Sequence, residues 1–209
     1  MLGECSNNHK HIVYIIVENI LIKFVNIKKM NEMYIKADKI KCFEYFLSLI
    51  IQWYRSAYGS DKELSISRVT ALKLLFLCAA IKNDSQEDLL CIFNKFYALP
   101  HGPVESDIYN AMVNGRCVNY NFESTYLVEN NVKIHYDDLD EQIKSRIDRS
   151  VEALKKENKN LIKLHAFQLV EITHKWECWK QAMKIAAVLN KGSYTMNIES
   201  IRNSNAIFE

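Results

Sequence analysis

The 209-residue chain has very few residues that break regular structure, with only five glycines and two prolines. An average chain of this length would carry about 25 glycines and prolines together. Sheet-rich folds need many tight turns, and tight turns depend on these two residue types. The scarcity predicts an all-α or mainly α fold, a compact domain of long helices with few corners.

The chain also lacks a large net charge and the common nucleotide-binding motifs. Its 27 basic and 25 acidic residues give a net charge of +2, which provides no strong field for nucleic-acid binding. A hydrophobic content of 49% excludes a disordered chain. The patterns G-x-x-x-x-G-K-[ST], G-x-G-x-x-G and G-x-S-x-G are absent, so no phosphate-binding loop or nucleophile elbow is predicted.

No C-x-x-C pair occurs among the six cysteines, and most of them lie within apolar runs. They are Cys5, Cys42, Cys78, Cys91, Cys117 and Cys178. We interpret them as reduced thiols buried in the core, and neither a disulfide framework nor a zinc site is predicted. This use of cysteine favours a cytoplasmic protein.

The N-terminal region contains one apolar run, IVYIIVENILIKFV, at residues 12–25. It is shorter than the roughly 20 residues that span a bilayer, and it lacks the cleavage site of a secretory signal. Two interpretations stay open: an extra helix or strand laid on the domain, or upstream sequence before a true start at Met30 or Met33. We favour the second, and predict an extension at residues 1–33 and a helical domain at residues 34–209.

Apolar residues recur every three or four positions in six segments, which is the spacing of one helix face. Ser65 or Ser67 is expected to cap the second segment and Ser106 the fourth, and Gly59 follows the first, as is typical of helix ends. The predicted helices cover residues 37–58, 65 or 67–82, 86–96, 106–115, 137–158 and 163–188. Residues 116–136 fit either a short β-hairpin or an irregular turn and helix.

Two histidines invite a catalytic or metal-binding interpretation. Glu171 and His174 form an E-x-x-H pair, a spacing that di-iron bundles use in duplicate, but no second copy occurs. His101 lies near Glu105 and Asp107 at a predicted helix start, where a turn-and-cap role is the commoner one. We therefore predict no metal, cofactor or catalytic residue, and retain a metal-dependent hydrolase using Glu171, His174 and His101 as an alternative.

A basic cluster near one helix end raises nucleic-acid binding as a second alternative. Its lysines are Lys155, Lys156, Lys159 and Lys163. Because Glu152 and Glu157 interleave with them, we interpret the cluster as a solvated helix face. The aromatic residues mostly have helical core spacing, which favours packing over base stacking.

Two blocks, in this order and at this separation, resemble the Panacea antitoxin domain, also called SocA-like. The first joins LKLLF at residues 72–76 to FYALPHGPVESDIYNAM at residues 96–112, similar to the family's Lys-Leu-Leu helix, aromatic-Ala-x-x-x-Gly-Pro-Val loop and Tyr-bearing helix. The second, LVEITHKWECW at residues 169–179, is similar to a Leu-x-x-x-Thr-His-x-x-x-x-Trp stretch. The resemblance covers about residues 37–190, and Leu99 departs from the pattern, since that position is often Trp or Lys-rich in relatives.

The resemblance implies a bacterial or phage antitoxin that silences a toxin encoded nearby by direct protein binding. A few relatives act as adaptors that deliver the toxin to a protease. The resemblance implies no enzymatic activity, and we expect no membrane and no nucleic-acid partner. The family-motif residues, candidates for partner contact, are Tyr97, His101, Gly102, Pro103, Val104, Tyr109, Thr173, His174, Trp176 and Trp179.

We expect the two blocks to meet in space as one scaffold element. Gly102 permits a tight turn of the backbone, and Pro103 fixes the φ angle that follows it. The next helix is therefore expected to start in a defined direction. The Thr173 hydroxyl and His174 imidazole are predicted to bond loop carbonyls that no helix satisfies. Helical spacing favours a core position for Trp179 and leaves Trp176 open between core and surface.

Overall fold

The computed structural model describes residues 39–123, 125–131 and 135–209. These residues belong to one compact unit, of which helices make up 52% and strands 11%. The prediction of a mainly α fold is confirmed, with two small antiparallel sheets added. The extension predicted at residues 1–33 lies outside the described residues.

Helices and short strands are interleaved along the chain. The helices are α1 at residues 39–58, α2 at Arg68–Ala80, α3 at Ser106–Val113, α4 at Glu141–Glu157, α5 at Ala166–His174, α6 at Glu177–Val188 and α7 at Ile198–Arg202, with a 3-10 turn at Leu161–Lys163. The strands are β1 at Phe96–Leu99, β2 at Gly102–Glu105, β3 at Tyr120–Glu123, β4 at Tyr126–Glu129 and β5 at Tyr194–Thr195.

Helix α2 is the central element, because every residue from Thr70 to Ala80 is buried. It packs against α4, α5 and β2, as expected of a helix that is apolar nearly all round. The Ser67 hydroxyl accepts a hydrogen bond from the Thr70 N–H at 3.0 Å. A serine cap at this helix start is therefore confirmed.

The larger sheet has the strand order β2-β1-β5. Tyr97 of β1 pairs with Val104 of β2 on one side and with Thr195 of β5 on the other. Phe96 of β1 packs edge-on against Phe76 of α2, with ring centroids 5.4 Å apart. The β1–β2 hairpin is thereby held on the central helix.

The helix predicted over residues 86–96 is wrong, because this stretch forms turns and its last residue begins β1. The Asn83 side chain accepts hydrogen bonds from the backbone N–H groups of Ser85 and Glu87, at 2.9 and 3.2 Å. Gln86 has a left-handed φ of 57°. Such local bonds from a side chain to the backbone replace the helical ones.

The single helix predicted over residues 163–188 is also wrong, because the chain breaks between α5 and α6. Trp176 has extended backbone angles and precedes α6. Its indole is 0% exposed, lies 5.0 Å from the Phe76 ring and donates to the Ile207 carbonyl at 2.9 Å. The break therefore turns the indole into the core, where it packs and finds an acceptor.

The β3–β4 hairpin decides between the two structures left open for residues 116–136. A buried carboxylate of α1 holds the start of this hairpin: Glu44 Oε1 accepts from the N–H groups of Val118 and Asn119, at 2.7 and 2.6 Å. Burial raises the pKa of Glu44, and these N–H donors oppose the rise. The other predicted helices match α1, α2, α3 and α4 with small shifts at their ends.

Burial of the cysteines is confirmed for all but one of those described. The buried thiols are Cys42, Cys78, Cys117 and Cys178. Cys91 is exposed, and Arg146 Nη1 donates to its Sγ at 2.9 Å, so the core interpretation is wrong there. Cys5 lies outside the described residues.

Within the described parts of the chain, every helix is too short or too polar to cross a bilayer.

Replacing Trp176 by alanine should lower the free energy of unfolding by about 3–5 kcal/mol, because it empties a large buried site and leaves the Ile207 carbonyl without its donor. Phe167, which is 72% exposed, provides the matched control in Phe167→Ala. Urea unfolding followed by circular dichroism measures both changes. Equal losses in the two variants would contradict a core role for Trp176.

Candidate functional site

The two sequence blocks meet between α2, β2 and α5. Lys73 Nζ donates a hydrogen bond to the Pro103 carbonyl at 2.8 Å. A Cβ placed on Gly102 would lie 2.6 Å from Thr173 Oγ1 and 3.1 Å from Lys73 Nζ. The expected meeting of the Gly-Pro turn with the Thr-His pair is confirmed, and we call Lys73, Gly102, Pro103 and Thr173 the motif junction.

Gly102 is required at the junction for two independent reasons. Its φ of +89° lies in the region that residues with a Cβ rarely adopt. A side chain there would also enter space occupied by the Thr173 hydroxyl and the end of Lys73. The hairpin backbone therefore approaches α2 and α5 more closely than any other residue would allow.

Lys73 is the least expected member of the junction, since its residue is 1% exposed in the middle of an apolar helix. In the described part of the chain its amine makes one hydrogen bond, to Pro103, and no ion pair. Desolvation lowers the pKa of Lys73 to about 7, because burial penalises the charged form. The amine is therefore poised between its neutral and charged forms near neutral pH.

The Thr173 hydroxyl donates to the Val170 carbonyl of its own helix at 2.9 Å. The predicted bond from this hydroxyl to a loop carbonyl is therefore wrong. Threonine in a helix commonly bonds a carbonyl of the preceding turn, and the hydroxyl contacts the loop only through its packing against Gly102.

His174 and Trp179 hold the tip of the β1–β2 hairpin. The Pro100 backbone lies close enough to the imidazole to act on the pKa of His174, and His174 Nε2 is buried without a hydrogen-bond partner among the described residues. The two rings stack with centroids 3.9 Å apart, and Trp179 Nε1 donates to the Leu99 carbonyl at 3.0 Å. The imidazole therefore lies against the loop as expected, and its bond to a loop carbonyl stays a prediction.

The surroundings of His174 favour its neutral form. Burial contributes most to lowering the pKa of His174, and the nearby positive charges of Lys73 and His101 act in the same direction. Glu171 and the Pro100 carbonyl oppose the shift without reversing it. A neutral imidazole serves as a packing group at this position, stacked on Trp179.

The far end of β2 is held by a buried ion pair. Glu105 Oε1 accepts from Lys39 Nζ at 2.8 Å, and Oε2 accepts from the Ile108 N–H at 2.9 Å. Glu105 therefore caps α3, and the prediction that Ser106 caps it is wrong. Burial would raise the pKa of the Asp107 carboxyl, but adjacent ammonium groups, including that of Lys39, hold it below its ordinary value.

The alternative metal site is not assembled among the described residues. Of its three residues, His101 and Glu171 are exposed and His174 is partly buried. The neighbouring acids Glu105 and Asp107 pair with a lysine. No group of three or more His, Cys, Asp or Glu side chains in the described ranges is arranged to hold a metal ion.

The ten motif residues divide by burial. The buried ones are Gly102, Pro103, Thr173 and Trp176; the partly buried ones are Val104, His174 and Trp179; the exposed ones are Tyr97, His101 and Tyr109. Trp176, left open by the sequence, belongs to the core. The larger part of the motif therefore builds the scaffold, and only three of its residues present much surface.

Sequence reasoning missed Lys73 and Lys39 as structural residues. A signal for Lys73 was available, since it is the single charged residue in RVTALKLLFLCAA after the first position. A charge in an otherwise apolar helix indicates a buried acceptor elsewhere. Lys39 carries no comparable local signal, because its partners lie 55 to 68 residues further along the chain.

Comparison with known proteins gives one match. The family model described as the SocA-like antitoxin, Panacea domain, matches residues 72–180, which is just over half of the chain. No curated protein and no solved structure matches. The matched segment begins in α2 and ends in α6, so it contains the whole motif junction.

Substitution of Gly102 by alanine should destabilise the protein by about 2–6 kcal/mol, because backbone strain of about 1–3 kcal/mol adds to overpacking against Thr173 and Lys73 of about 1–3 kcal/mol. Gly59→Ala is the matched control, since Gly59 has a φ of +96° and nothing within 4 Å of its Cβ position. Urea unfolding should show the larger loss for Gly102→Ala. Similar losses of unfolding free energy in the two variants would mean that the close approach of Gly102 to Thr173 and Lys73 adds no steric destabilisation.

Stability should rise with pH above about 7 through Lys73. The unfolded lysine keeps its proton up to a pKa of about 10.4, whereas the folded amine loses it near 7. The unfolded state then binds more protons, and linkage makes stability increase with pH. Between pH 7 and 9 the free energy of unfolding of wild type, minus that of Lys73→Met, should grow by about 2 kcal/mol.

Taking this difference cancels the titration of the cysteines and tyrosines, which both proteins share. Lys159→Met, at an exposed position, controls for the loss of one lysine. Chemical unfolding at pH 7, 8 and 9 makes the measurement. A wild-type to Lys73→Met difference that stays constant or shrinks with pH would contradict the assigned titration.

Proposed function

We propose that this protein, which belongs to the SocA-like family of antitoxins with a Panacea domain, neutralises a cognate toxin by binding it directly. The observation that carries the proposal is the family match over residues 72–180. The toxin would be a protein encoded near this chain, and the encounter would take place in the cytoplasm.

The use of the motif residues supports binding over catalysis. Lys73 and Trp179 each donate to a backbone carbonyl of the hairpin, and the His174 ring stacks on Trp179. Glu105 is occupied by Lys39 and by the start of α3. Groups engaged in this way stabilise a shape, whereas a catalytic group must reach a substrate.

Neutralisation by occlusion needs only a stable interface. A standard interface buries roughly 1,600 Å² in total, and a few well-packed anchors supply most of its binding energy. Such a surface suffices to cover a toxin's active region without any chemical step. Some relatives also deliver the bound toxin to a protease. The experiment below distinguishes such delivery from neutralisation by occlusion alone.

Co-expression with the adjacent reading frame tests the proposal. That frame alone should arrest growth of the host, and this protein should restore growth and co-purify with the toxin at a fixed ratio. Rescue that persists in a host lacking its ATP-dependent proteases indicates occlusion, and rescue lost there indicates delivery. A variant lacking residues 1–33 should rescue equally, because we assign binding to the domain at residues 34–209.

Rescue without co-purification would contradict direct binding. Turnover of a substrate that is abolished by His174→Ala or Glu171→Ala, with the fold intact, would favour the hydrolase alternative. A nucleic-acid affinity that falls steeply with salt would favour the regulator alternative. Stoichiometric zinc or iron in the purified protein would also count against the proposal.

A further inference from the structure

The C-terminal end of α6 exposes three neighbouring apolar side chains. Val188 is 83% exposed, and Ile185 and Leu189 are 43% and 48% exposed. Their spacing of three and four positions places them side by side on one helix face. We call Ile185, Val188 and Leu189 the α6 patch.

The patch is held rigidly. The Lys191 N–H donates to the Ala186 carbonyl at 2.8 Å and the Leu189 N–H to the Ile185 carbonyl at 3.0 Å. Asn190 has a left-handed φ of 53°, which closes the helix end. Ala182 and Ala186 are buried on the neighbouring face of the same helix, so the patch belongs to a packed helix and less entropy is lost on binding.

Positive charge borders the patch without local compensation. Lys184 and Lys191 flank it, and in the described ranges neither forms an ion pair. The sequence contains no acidic residue between Glu177 and Glu199. The apolar centre therefore has a basic rim, and a complementary partner surface has an acidic one.

Other exposed apolar residues form smaller groups, such as the pair Tyr109 and Val113 on α3 and the pair Tyr126 and Val128 on β4. Phe167 is more than two-thirds exposed, but it is the one large apolar residue exposed on α5. Tyr97 lies on the sheet beside the edge strand β2, where Pro103 removes a donor for a further strand. Single exposed apolar residues are ordinary in soluble proteins, whereas three adjacent ones at a capped helix end mark a contact surface.

Resting on the antitoxin function proposed above, we propose that the α6 patch is the surface that binds the toxin. The partner it fits is a protein with an apolar recess bordered by aspartate and glutamate side chains. Val188 enters the recess, and Lys184 and Lys191 pair with its border.

The test measures affinity for the purified protein of the adjacent reading frame, with growth rescue as a second readout. Val188→Asp should weaken binding by about 30-fold or more, the loss typical of an interface hot spot. The neutral variant Val188→Gln should weaken it in the same direction, and it provides the test if the aspartate at a helix C-terminus disturbs folding. Phe167→Asp, the matched control, should bind within about twofold of wild type, as expected for a residue outside the interface.

A second set of variants tests the two lysines that border the patch. The pair of changes Lys184→Glu and Lys191→Glu should weaken binding by about tenfold and flatten its dependence on salt. Lys184→Arg with Lys191→Arg should retain both affinity and salt dependence. Unchanged affinity in the glutamate variant would overturn the acidic border.

The possible results distinguish failure of the α6 patch as the binding surface from failure of the proposed antitoxin function. If wild type rescues and folded Val188→Asp and Val188→Gln bind as wild type does, the patch is overturned and the antitoxin function stands. An equal loss in Phe167→Asp would also overturn the patch, since the effect would not depend on position. If wild type neither binds nor rescues, both proposals fail together.

Discussion

A lysine amine inside an apolar core needs an acceptor, and the Pro103 carbonyl supplies it to Lys73. A buried amine without a partner is strongly destabilising, so the hairpin must lie where this carbonyl reaches α2. Gly102 makes that approach sterically feasible, because any Cβ would meet Thr173 of α5. One hydrogen bond and one missing side chain thus fix the hairpin relative to two helices.

The rest of the β1–β2 hairpin follows from that placement. Its tip lies on the α5–α6 corner, where Trp179 Nε1 donates to the Leu99 carbonyl and the His174 ring stacks on Trp179. Its other end is held by the Lys39–Glu105 pair, which also sets where α3 begins. A buried ion pair stabilises only when its remaining hydrogen-bonding positions are filled, and Glu105 meets this condition through the Ile108 N–H.

The elements that could be predicted from the sequence are those whose structure is decided locally. Periodicity located α1, α2 and α4, because their apolar faces repeat over three turns or more. It failed at residues 86–96, where the Asn83 side chain bonds the backbone, and at the α5–α6 corner, where burial of Trp176 breaks a continuous helical pattern. The contact of Gly102 with Thr173 was predictable as a meeting of motifs, whereas the Lys39–Glu105 pair spans 66 positions without a local signal.

The division between scaffold and surface has a consequence for partner choice. Gly102, Pro103, Thr173 and Trp176 are buried, so changes there disturb packing before they alter any contact with another protein. The exposed face of α6 is under no such constraint, because the helix packs through other residues, among them Ala182, Ala186 and Trp179. A domain built in this way can exchange exposed side chains while Lys73 and the hairpin stay in place. With the binding surface proposed above, specificity for one partner resides outside the buried part of the motif that defines the fold.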